Sequence, residues 1–508
     1  MLIYIIGTTL LVFGFYIWLR KNDDYWKKKG VNFLAPRLFV GNMGEMILMK
    51  KSIGAIVTEF YKNAQGLPYL GIFNMRQPVL LLRDTSVIRN VLVSEFNKFR
   101  DNGIELSEEA DPILAKNPFF LKGDRWKIVR AQLTPLLTNA KIKAMFPLVQ
   151  DVCKNMVNYL EREPDANEEH GLEAKELALK FTSDNVASCA FGLEEHSFND
   201  PNAEFRKMAE QFLKPTWFGY ISFFITTLFP SLIKMLKIPN SQRHISDKFK
   251  EILTKTVKYR KNNNIRRNDY LDSLIELKSK PMPYEYTDDY MVAHAFTFFL
   301  DGSETSAIIL SFALFEIAAD FSIENKLKNE IDEMLIKYNG VITFEAVQEM
   351  TYLDAIFSET LRKYPPLMVM TRECTEEAKL VAPDNPGQEF KIEKGCHIYI
   401  PVLGMHHDPQ YYPDPETFDP DRFTENAKHA LPKNCFFGFG DGPRTCLGRR
   451  FANMQIKLGI ISIVRNFEIR VNYKTKVPVE IATDFFLLGA RGGLWLNFYK
   501  RKNETTSN

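Results

Sequence analysis

"FGFGDGPRTCLGRRF", residues 437–451, sets a single cysteine between a glycine-rich loop and the start of a helix. Gly438, Gly440, Gly442 and Gly448 let the backbone approach something large and flat. The following run, "LGRRFANMQIKLGIISIVRNF", has helical periodicity. Cys446 would therefore sit at a helix N-terminus, where partial positive charge favours a thiolate. Arg444 adds a cation two residues away. The 6 cysteines, Cys153, Cys189, Cys374, Cys396, Cys435 and Cys446, are scattered with no C-x-x-C pair. That usage fits a reduced compartment rather than a disulfide scaffold. On these residues alone Cys446 is a metal ligand, a nucleophile or an inert buried thiol. No G-x-C-x-G turn and no His–Asn pattern supports the nucleophile.

Composition bounds the rest. With 45% hydrophobic and 25% charged residues the chain has material for a large core, and disorder is excluded. A net charge of +2 without a long basic run gives nucleic acid no electrostatic purchase. Residues 2–19, "LIYIIGTTLLVFGFYIWL", carry no charge. As a helix they span about 27 Å, close to the hydrocarbon thickness of a bilayer. A cleaved signal peptide would have a shorter apolar core and a small-residue cleavage site. Here the run ends in Tyr16-Ile17-Trp18-Leu19, an interfacial belt, so an uncleaved anchor is expected. Arg20, Lys21, Lys27, Lys28 and Lys29 crowd its C-terminal flank, which leaves the body of the protein cytosolic.

Beyond the anchor there are no repeats and no low-complexity tract. "YRKNNNIRRND", residues 259–269, is expected as a surface loop between helices. The chain reads as largely helical from about 140 to 370, with strand-like runs at "LPYLGIFNMRQPVLLLRD", "GCHIYIPV" and "GLWLNFYK". The expected fold class is therefore mainly α with small β-sheets (α+β). The longest helix runs from Thr287, a capping residue, to about Asp320, and its apolar residues lie nearly all round. In its middle lies "DGSETS", residues 301–306, whose acids and hydroxyls are costly to bury unpartnered. They form either a polar patch facing a groove or a site that handles water and protons.

"FGDGPRTCLG", residues 439–448, resembles the haem-binding loop of the cytochrome P-450 family, F-x-x-G-x-R-x-C-x-G, at every fixed position: Phe439, Gly442, Arg444, Cys446 and Gly448. Three further patterns follow in family order along the chain. "WKIVR" matches W-x-x-x-R at Trp126 and Arg130, "ETLR" matches E-x-x-R at Glu359 and Arg362, and "FDPDRF" carries Arg422. Alone, E-x-x-R is no signal, because i,i+3 ion pairs occur on many helices. The resemblance covers roughly residues 30–500. It implies a cytochrome P-450 fold with an N-terminal membrane anchor helix, divided as anchor 1–20, basic linker 21–36, haem-thiolate monooxygenase domain 37–500 and C-terminal tail 501–508.

The resemblance also implies roles. Cys446 would be the axial thiolate ligand of the iron of haem b. Phe439 would shield its sulfur, and Trp126, Arg130, Arg372 and Arg444 would bind the haem propionates. Glu359, Arg362 and Arg422 would form a structural polar cluster behind the haem. Thr305 and Glu304 would deliver protons during oxygen activation, with Asp301 as a second relay acid, a substrate-binding group or a structural one. Asp301 departs from the family, which has Ala or Gly there; the usual Pro-rich hinge is reduced to Pro36. Implied partners are O2, a lipophilic small-molecule substrate, an NADPH–cytochrome reductase and membrane lipid, at the endoplasmic reticulum with the catalytic domain facing the cytosol. The overall pattern is most similar to animal microsomal members, insect ones in particular, in xenobiotic or endogenous lipid and hormone metabolism. A thiolate-haem isomerase or dehydratase working without a reductase, or a haem-binding sensor or carrier, would also use Cys446.

Expected pocket walls are the 104–121 loop, Phe296, Phe299, Leu300, Val369, Met370 and residues 485–488. Lys122, Arg125, Lys127, Lys433, Arg449 and Arg450 are expected to form a reductase-docking face. Residues 217–229 are expected to dip into the membrane. Cytosolic orientation would leave the Asn503-Glu504-Thr505 sequon unglycosylated.

Overall fold

A computed structural model of the chain describes all residues except 105, 168, 214–215, 218, 220–236, 238, 240–241, 280–285, 383–384, 429–430, 484–486 and 502–508. Most of the 217–229 segment, Phe485 and the sequon lie outside the described residues. Helix α1 (Leu2–Arg20) leaves Ile3, Tyr4, Leu10 and Leu11 exposed, as an apolar helix does only when another apolar phase is meant to cover it. Its C-terminal end is held by the body of the protein. The Arg76 guanidinium lies 3.3 Å from the Trp18 ring centroid and donates to the Trp18 carbonyl at 2.8 Å. The stretch expected as a basic linker is packed rather than loose. Within it α2 (Tyr25–Lys28) buries Trp26, whose indole N–H donates to the Ile72 carbonyl at 3.1 Å. Gly71 makes room for that ring: a Cβ there would lie 2.4 Å from it.

Two apolar runs interrupted by Met75-Arg76 pair as the antiparallel hairpin β1 (Tyr69–Asn74) and β2 (Gln77–Leu82). The remaining strands are β3 (Leu172–Glu173), β4 (Met370–Glu373), β5 (Ala378–Ala382), β6 (Asn385–Ile392), β7 (His397–Ile400), β8 (Phe467–Val471) and β9 (Trp495–Lys500). They form one sheet of order β1-β2-β7-β4, a second of order β3-β9-β8, and the β5-β6 ribbon. In the first sheet β2 and β7 run parallel, Val79 opposite His397, so hairpin and distant strand share one core.

The principal helices are α3 (Gly123–Leu133), α4 (Asn139–Arg162), α5 (Ala174–Val186), α6 (Asp288–Ala319), α7 (Thr351–Lys363) and α8 (Arg449–Asn466). Helix α6 has 32 residues, about 48 Å at 1.5 Å per residue. Thr287 caps it, its hydroxyl accepting from the Tyr290 N–H at 3.4 Å. It packs against α5 on one side and α8 on the other. Burying each large apolar side chain contributes roughly 1.5–3 kcal/mol, so packing rather than propensity holds this helix. Gly459 lets α8 approach closely; a Cβ there would lie 3.0 Å from Phe181 and 3.2 Å from Leu310. Between Asn262 and Tyr270 a loop does join two helices, as expected. Arg260 at its edge is buried, however, and bonds Asp269 at 2.8 Å and Asp272 at 2.7 Å.

Candidate functional site

The 437–446 loop is shaped by its own backbone. Cys446 N–H donates to the Phe439 carbonyl at 2.9 Å, and Gly440 N–H to the Phe437 carbonyl at 2.9 Å. Gly440 and Gly442 take φ of +73° and +70°. A Cβ on Gly442 would lie 2.0 Å from the Leu92 carbonyl oxygen, so only glycine fits. Behind the loop, the Arg362 fork donates to both Glu359 carboxylate oxygens at 2.6 and 2.7 Å and to the His406 carbonyl at 2.8 Å. The Asp419 N–H donates to Glu359 at 2.9 Å, and Arg422 lies 3.6 Å from the same carboxylate. His406 accepts from the Phe437 N–H at 2.9 Å, which joins this cluster to the loop.

In front of the loop opens a cavity of about 1770 Å³. That exceeds the roughly 300–1,000 Å³ of a pocket for one small ligand, and leaves room for a prosthetic group and a substrate together. Cys446 faces into it, as do Asp301, Thr305 and Phe439. Leu300, Val369, Met370 and Leu487 line it as expected, and the 104–121 loop contributes Ile104, Leu114, Asn117 and Phe119. Phe296 and Phe299 do not. They point to the opposite side of α6, into a ring cluster with Phe249 at centroid distances of 5.1 and 5.4 Å. Cavity-lining positions of α6 include Thr297, Phe298, Leu300, Asp301 and Thr305.

Arg130, Arg372 and Arg444 converge on the same cavity, beside Trp126. The Arg372 guanidinium is buried, bonds Asn102 at 3.0 Å, and keeps its Nε without a partner. Burial pushes it down to about 10. Arg444 is held by the Leu121 carbonyl at 2.7 Å and the Pro118 carbonyl at 3.3 Å, stacks 4.3 Å from the Trp126 ring, and lies 3.5 Å from Asp101. Burial, then the neighbouring Arg372, pushes Arg444 down to about 9. Among the described residues the Arg130 guanidinium has no hydrogen-bond partner, and burial lowers it too. Three desolvated guanidiniums with one carboxylate among them leave a site suited to further negative charge. These residues fit a large, flat, dianionic group whose metal takes the Cys446 sulfur. Burial raises the Cys446 thiol, against the pull of the Gly448 N–H, Arg130 and Arg449. A coordinated metal cation would favour the thiolate over that rise.

On α6 most of the polar segment is engaged by neighbouring groups. Gln455 donates to the Gly302 carbonyl at 3.0 Å and to the Ser306 hydroxyl at 2.7 Å. Thr305 donates to the Asp301 carbonyl at 2.6 Å. Glu304 is buried and pairs with Lys175 at 2.6 Å. Lys175, Asn117 and Gln455 were not legible as site residues, because each reaches the segment from a distant element. His397 also lines the cavity; its strand pattern marks it only as an interruption between buried Cys396 and Ile398. On the expected docking face Lys127, Lys433, Arg449 and Arg450 are exposed. Lys122 instead pairs with Glu373 at 2.6 Å, and Arg125 with Glu108 and Tyr290.

The cytochrome P450 family model matches residues 33–496. Cytochrome P450 6j1 of Blattella germanica is 35% identical over 488 residues, covering 96% of each chain. Probable cytochrome P450 6a21 of Drosophila melanogaster is 34% identical over 485 residues, covering 94% of this chain and 95% of its own. Cytochrome P450 9e2 of Blattella germanica is 34% identical over 513 residues, 95% of each.

Proposed function

The chain belongs to the cytochrome P450 family, a haem b monooxygenase, and we propose that it oxidises lipophilic molecules with electrons from an NADPH–cytochrome reductase, anchored in the endoplasmic reticulum membrane with its catalytic domain in the cytosol. The observation that carries this reading is the cavity itself. Cys446 lines it, as do Arg130, Arg372 and Arg444 and, from α6, Thr305 and Asp301.

Haem b held through the Cys446 sulfur supplies the redox chemistry that splits O2, one oxygen atom going to the substrate and the other to water. The remaining work falls to side chains. Arg130, and Arg372 through the Nε that no described residue engages, would hold the propionates, with Trp126 and Arg444 closing that edge. Phe439 covers the sulfur, its ring 6.0 Å from Phe357 and 5.7 Å below the Arg449 guanidinium. The Thr305 proton is committed to the Asp301 carbonyl, so its oxygen lone pairs are left to accept from a water in the cavity. Glu304 passes protons inward from Lys175, whose side chain is 35% exposed and in reach of solvent.

The cavity extends to Met46, Met49 and Trp217, and Met49 and Trp217 are exposed, as a mouth dipping into lipid requires. Lys127, Lys433, Arg449 and Arg450 offer an acidic reductase an exposed basic face on the Cys446 side. The test is turnover with purified reductase, NADPH, O2 and a lipophile. Oxidised product in proportion to NADPH consumed is expected; a ligand that binds without NADPH or O2 consumption would refute the monooxygenase reading.

A further inference from the structure

Asp301 is a carboxylate that faces the cavity from α6, beside the polar Thr305 and Asn117. The same cavity is lined by the apolar Leu300, Phe298, Val369 and Leu487. Its one side-chain partner is the Asn117 amide, 3.4 Å from Oδ2. Asn117 is fixed in that pose, because its own oxygen accepts from the Phe119 N–H at 2.7 Å. Oδ1 of Asp301 has no partner among the described residues. The other acids at the cavity are matched: Glu304 by Lys175 at 2.6 Å and Glu373 by Lys122 at 2.6 Å. No described cation pairs with Asp301. The cavity's arginines, Arg130, Arg372 and Arg444, would be engaged by the propionates of the prosthetic group.

We propose that Asp301 selects the substrate: the cavity takes lipophilic molecules bearing a cationic ammonium group, which the Asp301 carboxylate, held in place by the Asn117 N–H, receives beside Thr305. This rests on the monooxygenase reading for what happens next, but not for the binding itself. An apolar tail satisfies the walls, and a cationic head satisfies the one cavity acid that no described cation pairs with. Desolvation pushes the Asp301 carboxyl up to about 6, and a cation beside it favours the ionised form.

The experiment uses haem-loaded, full-length protein and two isosteric probes, octyltrimethylammonium and 2,2-dimethyldecane. Neither has a lone pair to offer iron, and they differ in charge alone. Affinities are measured by equilibrium dialysis and by the shift of the haem absorption band. The ammonium probe should bind about tenfold more tightly, the scale of one interaction with a charged group in a desolvated site. In Asp301→Asn that preference should vanish while haem content and alkane affinity stay within about twofold of the unaltered protein, since the apolar contacts of the walls are untouched. Equal affinities in the unaltered protein would overturn the proposal, with no variant needed. So would a preference that survives in Asp301→Asn. The binding arm needs neither reductase nor O2, so a failure of turnover and a failure of amine selection are separate results.

Discussion

His406 joins three segments through one ring. Nε2 accepts from the Phe437 N–H, so Nδ1 carries the proton and faces the Arg362 carbonyl at 3.0 Å. Burial first, and the Arg362 charge second, push the imidazole down to about 3. The unfolded chain takes up a proton near pH 6.5 that the folded chain refuses until about 3. Stability from this group is therefore complete above pH 6.5 and falls by about 1.4 kcal/mol for each pH unit below it. Loss of the haem absorption band on heating should come at lower temperature at pH 5.5 than at 7.5. His406→Gln should be less stable at pH 7.5 and show a flatter pH slope; an unchanged slope would remove His406 as its source. Thr305 offers a second test at this scale. Thr305→Ala should keep haem and NADPH consumption yet send several-fold more electrons to hydrogen peroxide, since the water-holding oxygen is gone. Full coupling of NADPH to product in that variant would dismiss the proton-delivery role.

Elements depend on these residues in different ways. At Gly442 the left-handed backbone alone costs an L side chain about 1–2 kcal/mol, and the contact with the Leu92 carbonyl adds to it. Gly442→Ala should abolish haem-loaded protein. Gly448→Ala, with nothing within 4 Å of the added Cβ, should keep the far-ultraviolet circular dichroism of the parent. Glu359→Ala would strand the buried Arg362 at a cost of about 3–5 kcal/mol, a large share of a typical 5–15 kcal/mol. Little holoprotein should be recovered, and normal yield would sink the structural role. The loop and α6 were legible because their signals are local: glycine spacing and a capping threonine. The four-residue strand β4 was not, since its partner β7 lies far along the chain and its own sequence, Met-Thr-Arg-Glu, has no alternation to read. Phe296 and Phe299 failed for a related reason. Helix α6 is apolar all round, so periodicity alone does not say which face meets a cavity and which a neighbouring helix.

At the scale of the molecule, the Arg76–Trp18 stack ties α1 to the β1–β2 turn, whose flanking Asn74 and Gln77 line the cavity. Deleting residues 1–20 should weaken vesicle binding without abolishing it, because Leu48 and Met49 stay exposed; a fully soluble product would argue against the membrane-facing mouth. Reversing Lys127 or Lys433 should slow reduction by the reductase, most at low salt where attraction is least screened; an unchanged rate there would discount this face. One separation has a wider meaning. Glu359, Arg362, Arg422 and His406 touch the loop from behind, and none of them lines the cavity. The polar cluster that braces the loop and the side chains that line the cavity are thus different residues, though both are carried by α7, where Phe357 and Leu361 face the cavity beside Glu359 and Arg362. A change at a lining position such as Asp301, outside both the cluster and the core, can alter what the cavity admits while the brace behind the cysteine stays intact.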